Sequence, residues 1–228
     1  MVVRGDTGIV IAMLTSVNNQ NPTESDCKIF QISENIGVIT NGPKNHSKAA
    51  IEHIQETFVN SVAANGPPVT AKALAESLGL LFSYRDQNTS IQGFAVEVVI
   101  FSCTSSSSPE IFCVNSKGEC FGYFGCAVGK FKNELIEEMK ALDFPFSMVE
   151  RLLFFSAQCM IKMLRLEKEM TVAPENFSHY LMIFCVGSIT NGKFERLRDE
   201  AFKAVMKVGR LMMISSEADE GNKSFSHQ

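Results

Sequence analysis

The chain has 228 residues, 45% of them apolar and 20% charged, which is ample for one packed domain and short for two. Its formal net charge of −4 argues against a nucleic-acid partner, which would call for a basic stripe. No run of roughly 18 apolar residues is present to span a membrane, and the start, MVVRGDTGIVIAMLTS, carries Arg4 and Asp6 where a signal segment should be apolar.

The first predicted element is a strand over Thr7–Ser16, β-branched and apolar throughout. After the polar stretch VNNQNPTESD come CKIFQIS and NIGVITNG, two strands joined by a turn at Glu34–Asn35. Gly42–Pro43 stops the second strand. From Asn45 the period becomes helical, with Ala49, Ala50, Ile54, Phe58 and Val62 on one face. His46 and His53 lie in this helix seven residues apart, which is wrong for a two-histidine metal site and suits solvated surface positions. Asn65–Pro68 breaks the helix. A second one follows, capped by Thr70 and carrying Leu74, Leu78 and Leu81 to Tyr84, with RDQNTSIQG as loop.

Three strand signals come next, FAVEVVIFSC, EIFCVNS and ECFGYFGCAVG. The serine-rich TSSSSPE between the first two reads as a hairpin end, because its flanking strands match as a pair. KFKNELIEEMKAL is a helix with Leu135, Met139 and Leu142 on its apolar face. A second helix, capped by Ser147, is apolar around most of its circumference between Leu152 and Met160, which predicts burial between layers. The last third reads as strand (YLMIFCVGSI), Asn191–Gly192 turn, strand (FERL) and helix (RDEAFKAVMKVGRLMM). The boundary falls at residue 214: residues 1–214 form one domain, and the polar tail 215–228 is expected to be disordered. Strand runs alternating with helix pairs do not make a βαβ repeat. They predict an α+β fold, two antiparallel sheets packed together with helices in both outer layers.

The chemical motifs are mostly negative. Gly122, Gly125 and Gly129 with Lys130 lie ahead of a helix, as in a phosphate-binding loop, but Gly125 and Gly129 enclose three residues instead of four. Phe131 also stands where the metal-binding hydroxyl belongs. The spacing fails the dinucleotide fingerprint too, so no nucleotide or other cofactor is expected. Seven cysteines (27, 103, 113, 120, 126, 159 and 185) contain no C-x-x-C and no histidine at zinc-site spacing. They are expected to be reduced, buried thiols in an intracellular protein, with no structural metal. No G-x-S-x-G elbow is present, and Cys126 lies within a strand run. The paired carboxylates Glu137–Glu138 and Glu167/Glu169 fall on polar helix faces.

In linear order, two segments resemble the α-type subunits of the 20S proteasome. CKIFQISENIGVITNGPKNHSKAAIEHI is similar to that family's Lys-Ile strand, turn, second strand and long helix. VNSKGECFGYFGCAVGKFKNELIEEMKAL is similar to the α-type signature, and with VGSITNGKFERL the likeness is nearest to the α7 (type-3) class, spanning about residues 7 to 210. The resemblance implies the four-layer αββα sandwich of the N-terminal-nucleophile hydrolases. It also implies a non-catalytic subunit, catalysis residing in β subunits. The implied partners are other α subunits in a seven-membered ring, the β ring and regulatory particles, and the implied location is cytoplasm and nucleus. Aligned on GIVIAML, the chain is expected to start near the family's second strand, without the N-terminal helix, gating tail or first strand. Leu14 replaces the aspartate of catalytic β chains, and SIQG retains only Gly93 of the usual Arg-Pro-aromatic-Gly loop. Lys28 falls where the family keeps a lysine, implying a pocket for an activator's C-terminal carboxylate; the alternative is a lysine that merely begins a strand. Two rival readings follow. One is a hydrolase with its own N-terminal nucleophile, for which Thr7 is the nearby candidate; the other is a truncated paralogue outside the ring.

Overall fold

The computed structural model describes residues 1–16, 29–88, 93–104, 107–140, 147–170, 180–188, 193–197 and 200–209. In chain order the strands and helices are β1 Val2–Arg4, β2 Gly8–Ser16, β3 Ile29–Ser33, β4 Ile36–Asn41, α1 Lys44–Ala63 and α2 Ala71–Gln87. They continue with β5 Glu97–Thr104, β6 Ser107–Val114, β7 Cys120–Gly122, β8 Gly125–Cys126, α3 Lys132–Met139 and α4 Val149–Met170. Strands β9 Tyr180–Ser188 and β10 Phe194–Arg196 and a helix α5 over residues 200–209 complete the described set. The proposed boundary at 214 and the polar tail lie outside the described residues, as do Leu142 and the Asn191–Gly192 turn.

The strands form two five-stranded sheets, ordered β10-β9-β2-β1-β8 and β3-β4-β5-β6-β7, with antiparallel pairing throughout the registered pairs. Side chains alternate between faces with period two, and here both faces are covered. Ile9 and Ile11 of β2 point between the sheets with Val99 and Phe101 of β5. Val10 and Ala12 point outward under α3, α4 and α5. On the other side, Val98 and Ile100 lie under α1 and α2. Burial on both faces is why these antiparallel strands read as continuous apolar runs instead of the usual alternation. The result is the expected αββα layering.

The helices follow their patterns. Thr70 caps α2, its hydroxyl accepting from the Ala73 N–H at 3.1 Å, and Leu74, Ala75, Leu78 and Phe82 bury one face. Helix α4 is buried through Leu152, Ser156, Ala157, Cys159 and Met160, as its all-round apolarity requires. It begins one residue later than a Ser147 cap would place it, since the Met148 carbonyl accepts the Leu152 N–H at 3.1 Å.

Two expectations are corrected. A strand does precede β2: β1 pairs with it (Val2↔Ile11, Val3↔Val10) and with β8 (Val2↔Cys126), so Arg4–Gly8 is a turn inside a hairpin. The run ECFGYFGCAVG, read as one strand, is two. β7 ends the second sheet beside β6 and β8 ends the first beside β1, so the chain changes sheets at Tyr123–Phe124. Gly129, at φ +103°, adopts a left-handed turn that leads into α3.

Between the sheets, two phenyl rings lie over cross-strand glycines. Phe101 faces Gly37 across β5 and β4, and Phe194 faces Gly187 across β10 and β9. A methyl at Gly37 or at Gly187 would lie 2.4 Å from its ring. The rings meet edge to face, centroids 5.0 Å apart at 78°. Gly37→Ala is therefore expected to push Phe101 aside and cost about 1–3 kcal/mol, whereas Phe101→Ala leaves a cavity costing about 3–5 kcal/mol. Urea unfolding of both variants against the parent checks this.

Candidate functional site

Lys28, the one partner-contact residue that the sequence suggests, lies outside the described residues. The positions that bear on catalysis are described. Thr7 sits in the exposed β1–β2 turn. The strand before it, with Val2 and Val3 at 1% and 0% exposure, is paired on both sides. Liberating the Thr7 amine would mean removing β1 from the sheet. Leu14 packs against the apolar cluster beneath α4, a surrounding that disfavours any carboxylate.

Both histidines are partly exposed, as surface positions, and each also has a hydrogen-bond partner. His46 Nδ1 accepts the Ala95 N–H at 3.0 Å, and its ring stands edge-on to Phe94 at 5.7 Å. His53 Nε2 and Ser77 Oγ are 3.0 Å apart, with Thr57 Oγ1 3.4 Å from the same hydroxyl. This serine–histidine pair ties α1 to α2 in an outer layer and has no partner arrangement of the nucleophile–base–orienter kind.

Four of the described thiols are held in the neutral form. Burial pushes Cys103 and Cys113 up to about 11 and Cys126 and Cys159 up to about 12, so thiolate is scarce at neutral pH. Among the described residues, no group of three or more His, Cys, Asp or Glu is arranged to hold a metal.

The unusual chemistry gathers at the rim where the chain changes sheets. Arg4, at the end of β1, pins the crossover. Its Nε donates to the Tyr123 carbonyl at 3.0 Å and its Nη1 to the Pro109 carbonyl at 2.6 Å. Its backbone N–H donates to the Phe124 carbonyl at 2.8 Å, and its guanidinium stacks 4.2 Å from the centroid of the Phe124 ring. Burial lowers the Arg4 pKa, an effect opposed by Glu110. Held this way, Phe121, Tyr123 and Phe124 remain 54%, 41% and 45% exposed. Three aromatic side chains exposed within four residues form a ridge of the composition enriched at protein interfaces.

Beside the ridge lies an open cavity of about 260 Å³. Cys113, Tyr123, Gly125 and Cys126 form one wall, and Lys132, Ile136, Met139 and Lys140 of α3 and its C-terminus form the other. Lys132 Nζ donates to the Glu97 carboxylate, tying the first turn of α3 to the start of β5; this bond raises the lysine's pKa. Lys140 Nζ lies 2.6 Å from Glu137. Sequence reasoning missed this site. The i, i+4, i+8 spacing of Lys132, Ile136 and Lys140 was visible, but nothing local revealed that β6 and β8 would form its opposite wall.

A family model for proteasome subunits matches residues 1–178. The chain is 25% identical to a proteasome subunit alpha type-3 of Dictyostelium discoideum over 123 residues, 53% of this chain and 48% of that protein. It is 22% identical to a proteasome subunit alpha type-3 of Drosophila melanogaster over 142 residues, 61% of this chain and 56% of that protein. The matches thus span about half the length of these curated relatives.

Two outcomes follow. Arg4→Ala should destabilise the chain by about 1.5–3 kcal/mol through lost charge-assisted hydrogen bonds, and Arg4→Lys should not restore it, since an ammonium cannot reach both carbonyls and also stack on the ring; denaturant midpoints decide. Because the four thiols titrate near 9 when unfolded and near 11–12 when folded, the unfolded state loses protons first. The thiols' contribution to stability should therefore be level below pH 9 and fall from pH 9 towards 11. Cys103, Cys126 and Cys159 should also resist iodoacetamide at pH 7.5 until the chain is unfolded, as mapped by mass spectrometry.

Proposed function

Since the chain belongs to the proteasome subunit family, we propose that it serves as a non-catalytic α-type subunit of the 20S core. In this reading it takes its place with other α subunits in a seven-membered ring, against a β ring that carries the catalysis. The ring admits substrate and seats regulatory particles, with Lys28 offering its ammonium to an activator's C-terminal carboxylate. The cytoplasm and nucleus are where it works.

The observation that carries the non-catalytic reading is the state of Thr7 and Leu14. The candidate Thr7 is fixed in an exposed turn behind a doubly paired strand, and an apolar side chain occupies the position where an aspartate would assist a nucleophile. The likeness to alpha type-3 proteins in two organisms supports the α assignment. The two-sided burial of both sheets leaves rims and outer helix faces for contact, as suits a subunit packed among neighbours.

Native mass spectrometry of a tagged chain recovered from cells tests the proposal. A 20S-sized particle containing the chain is the expected result, and recovery only as a monomer or with chaperones would overturn it. Terminal sequencing of the recovered chain addresses the hydrolase rival: residues ahead of Thr7 should be intact, and Thr7→Ala should leave peptidase activity of the particle unchanged.

A further inference from the structure

We propose that the trough between α3 and the sheet rim is a docking site for an extended segment of a partner polypeptide, one that reads acidic, any residue, apolar, any residue, acidic. Lys132 and Lys140 stand at the two ends of one helix face, eight residues and about 12 Å apart, with Ile136 and Met139 between them. The opposite wall contributes Cys113, Gly125, Cys126 and the Tyr123 ring. The lining thus has an ammonium at each end, an apolar middle and no carboxylate. Glu97 and Glu137 each occupy one donor of their lysine, and an ammonium has three.

An extended chain places residues i, i+2 and i+4 on one face, with i and i+4 about 13 Å apart. Two carboxylates at that spacing reach both lysines while the central apolar side chain enters the cavity, whose 260 Å³ holds one large side chain. A polypeptide is favoured over a small dicarboxylate because the Tyr123 ring in the cavity wall adjoins the exposed Phe121 ring, centroids 6.5 Å apart, which a small molecule would leave bare. Aromatic side chains flanking a pocket are the usual anchors of a protein contact. This site supplies a contact for the ring reading but does not depend on it.

The test is fluorescence anisotropy with the full chain, alone or within the particle it purifies in, and a fluorescein-linked peptide Glu-Ser-Phe-Ser-Glu. It should bind at least tenfold more tightly than Lys-Ser-Phe-Ser-Lys, Glu-Ser-Ser-Ser-Glu or the shorter-spaced Glu-Phe-Glu, and weaken as salt rises from 0.05 to 0.5 M. Lys140→Glu, on an exposed side chain, should reduce binding about tenfold with unchanged thermal unfolding, and Lys140→Arg should retain it. Equal binding of all four peptides, or an unchanged affinity in Lys140→Glu, overturns the proposal. So does displacement by suberate at the concentration where the peptide itself competes, which would assign the trough to small dicarboxylates. Failure here leaves the co-purification result untouched, and the reverse holds.

Discussion

The structure depends on two sheets packed face to face, with the rings of Phe101 and Phe194 meeting between them. Each ring lies over a glycine on the neighbouring strand, Gly37 and Gly187, and the two meet edge to face at 5.0 Å. Facing sheets pack about 10 Å apart, a gap that interdigitating aliphatic side chains fill elsewhere in this core, among them Ile9, Ile11, Ile39 and Val99. Where the rings stand, any side chain on the opposing strand would raise the local thickness and pry the sheets apart. Glycine at both positions removes that conflict, and edge-to-face geometry adds a preferred contact of the two ring quadrupoles.

With the inner faces packed, the outer layers follow. Residues that alternate with the inward set, such as Val10 and Ala12 or Val98 and Ile100, must be covered by helices, so both faces of both sheets are buried. Little chemistry fits inside such a sandwich. Burial raises the pKa of the thiols Cys103, Cys113, Cys126 and Cys159, and the buried hydroxyls belong to packing. Polar and exposed aromatic groups are displaced to the rim, where Arg4 clamps the strand-to-strand crossover.

Much of the fold was legible in the residue order. The β3–β4 hairpin with its turn at Glu34–Asn35, the Thr70 cap and the apolar faces of α2 and α3 each follow from local rules acting over four to eight residues, and the structure retains them. The crossover was not legible. Phe121 to Cys126 is equally apolar on either side of the point where it leaves one sheet, and only the partners β6 and β1 decide which part belongs to which. The three residues of β1 were hidden for the same reason: a short strand has too few positions for a period, and pairing on both sides is what makes it one. The partners of the histidines were not legible either. Spacing cannot report that the Ala95 N–H and the Ser77 hydroxyl come within 3.0 Å of them.

The family, too, was carried by order and spacing, since each strand–turn–helix unit is specified by neighbours in the chain. By itself, therefore, the sequence determined the element types and the alternation of layers. Tertiary structure alone decided the rim: which strand edges meet, where Arg4 finds its two carbonyls, and that Lys132, Ile136 and Lys140 face a wall built from residues 113 to 126. Those features depend on contacts between residues more than a hundred positions apart, such as Arg4 and Tyr123, and such contacts arise only when two sheets, each complete in itself, are brought together and their edges forced to share one chain.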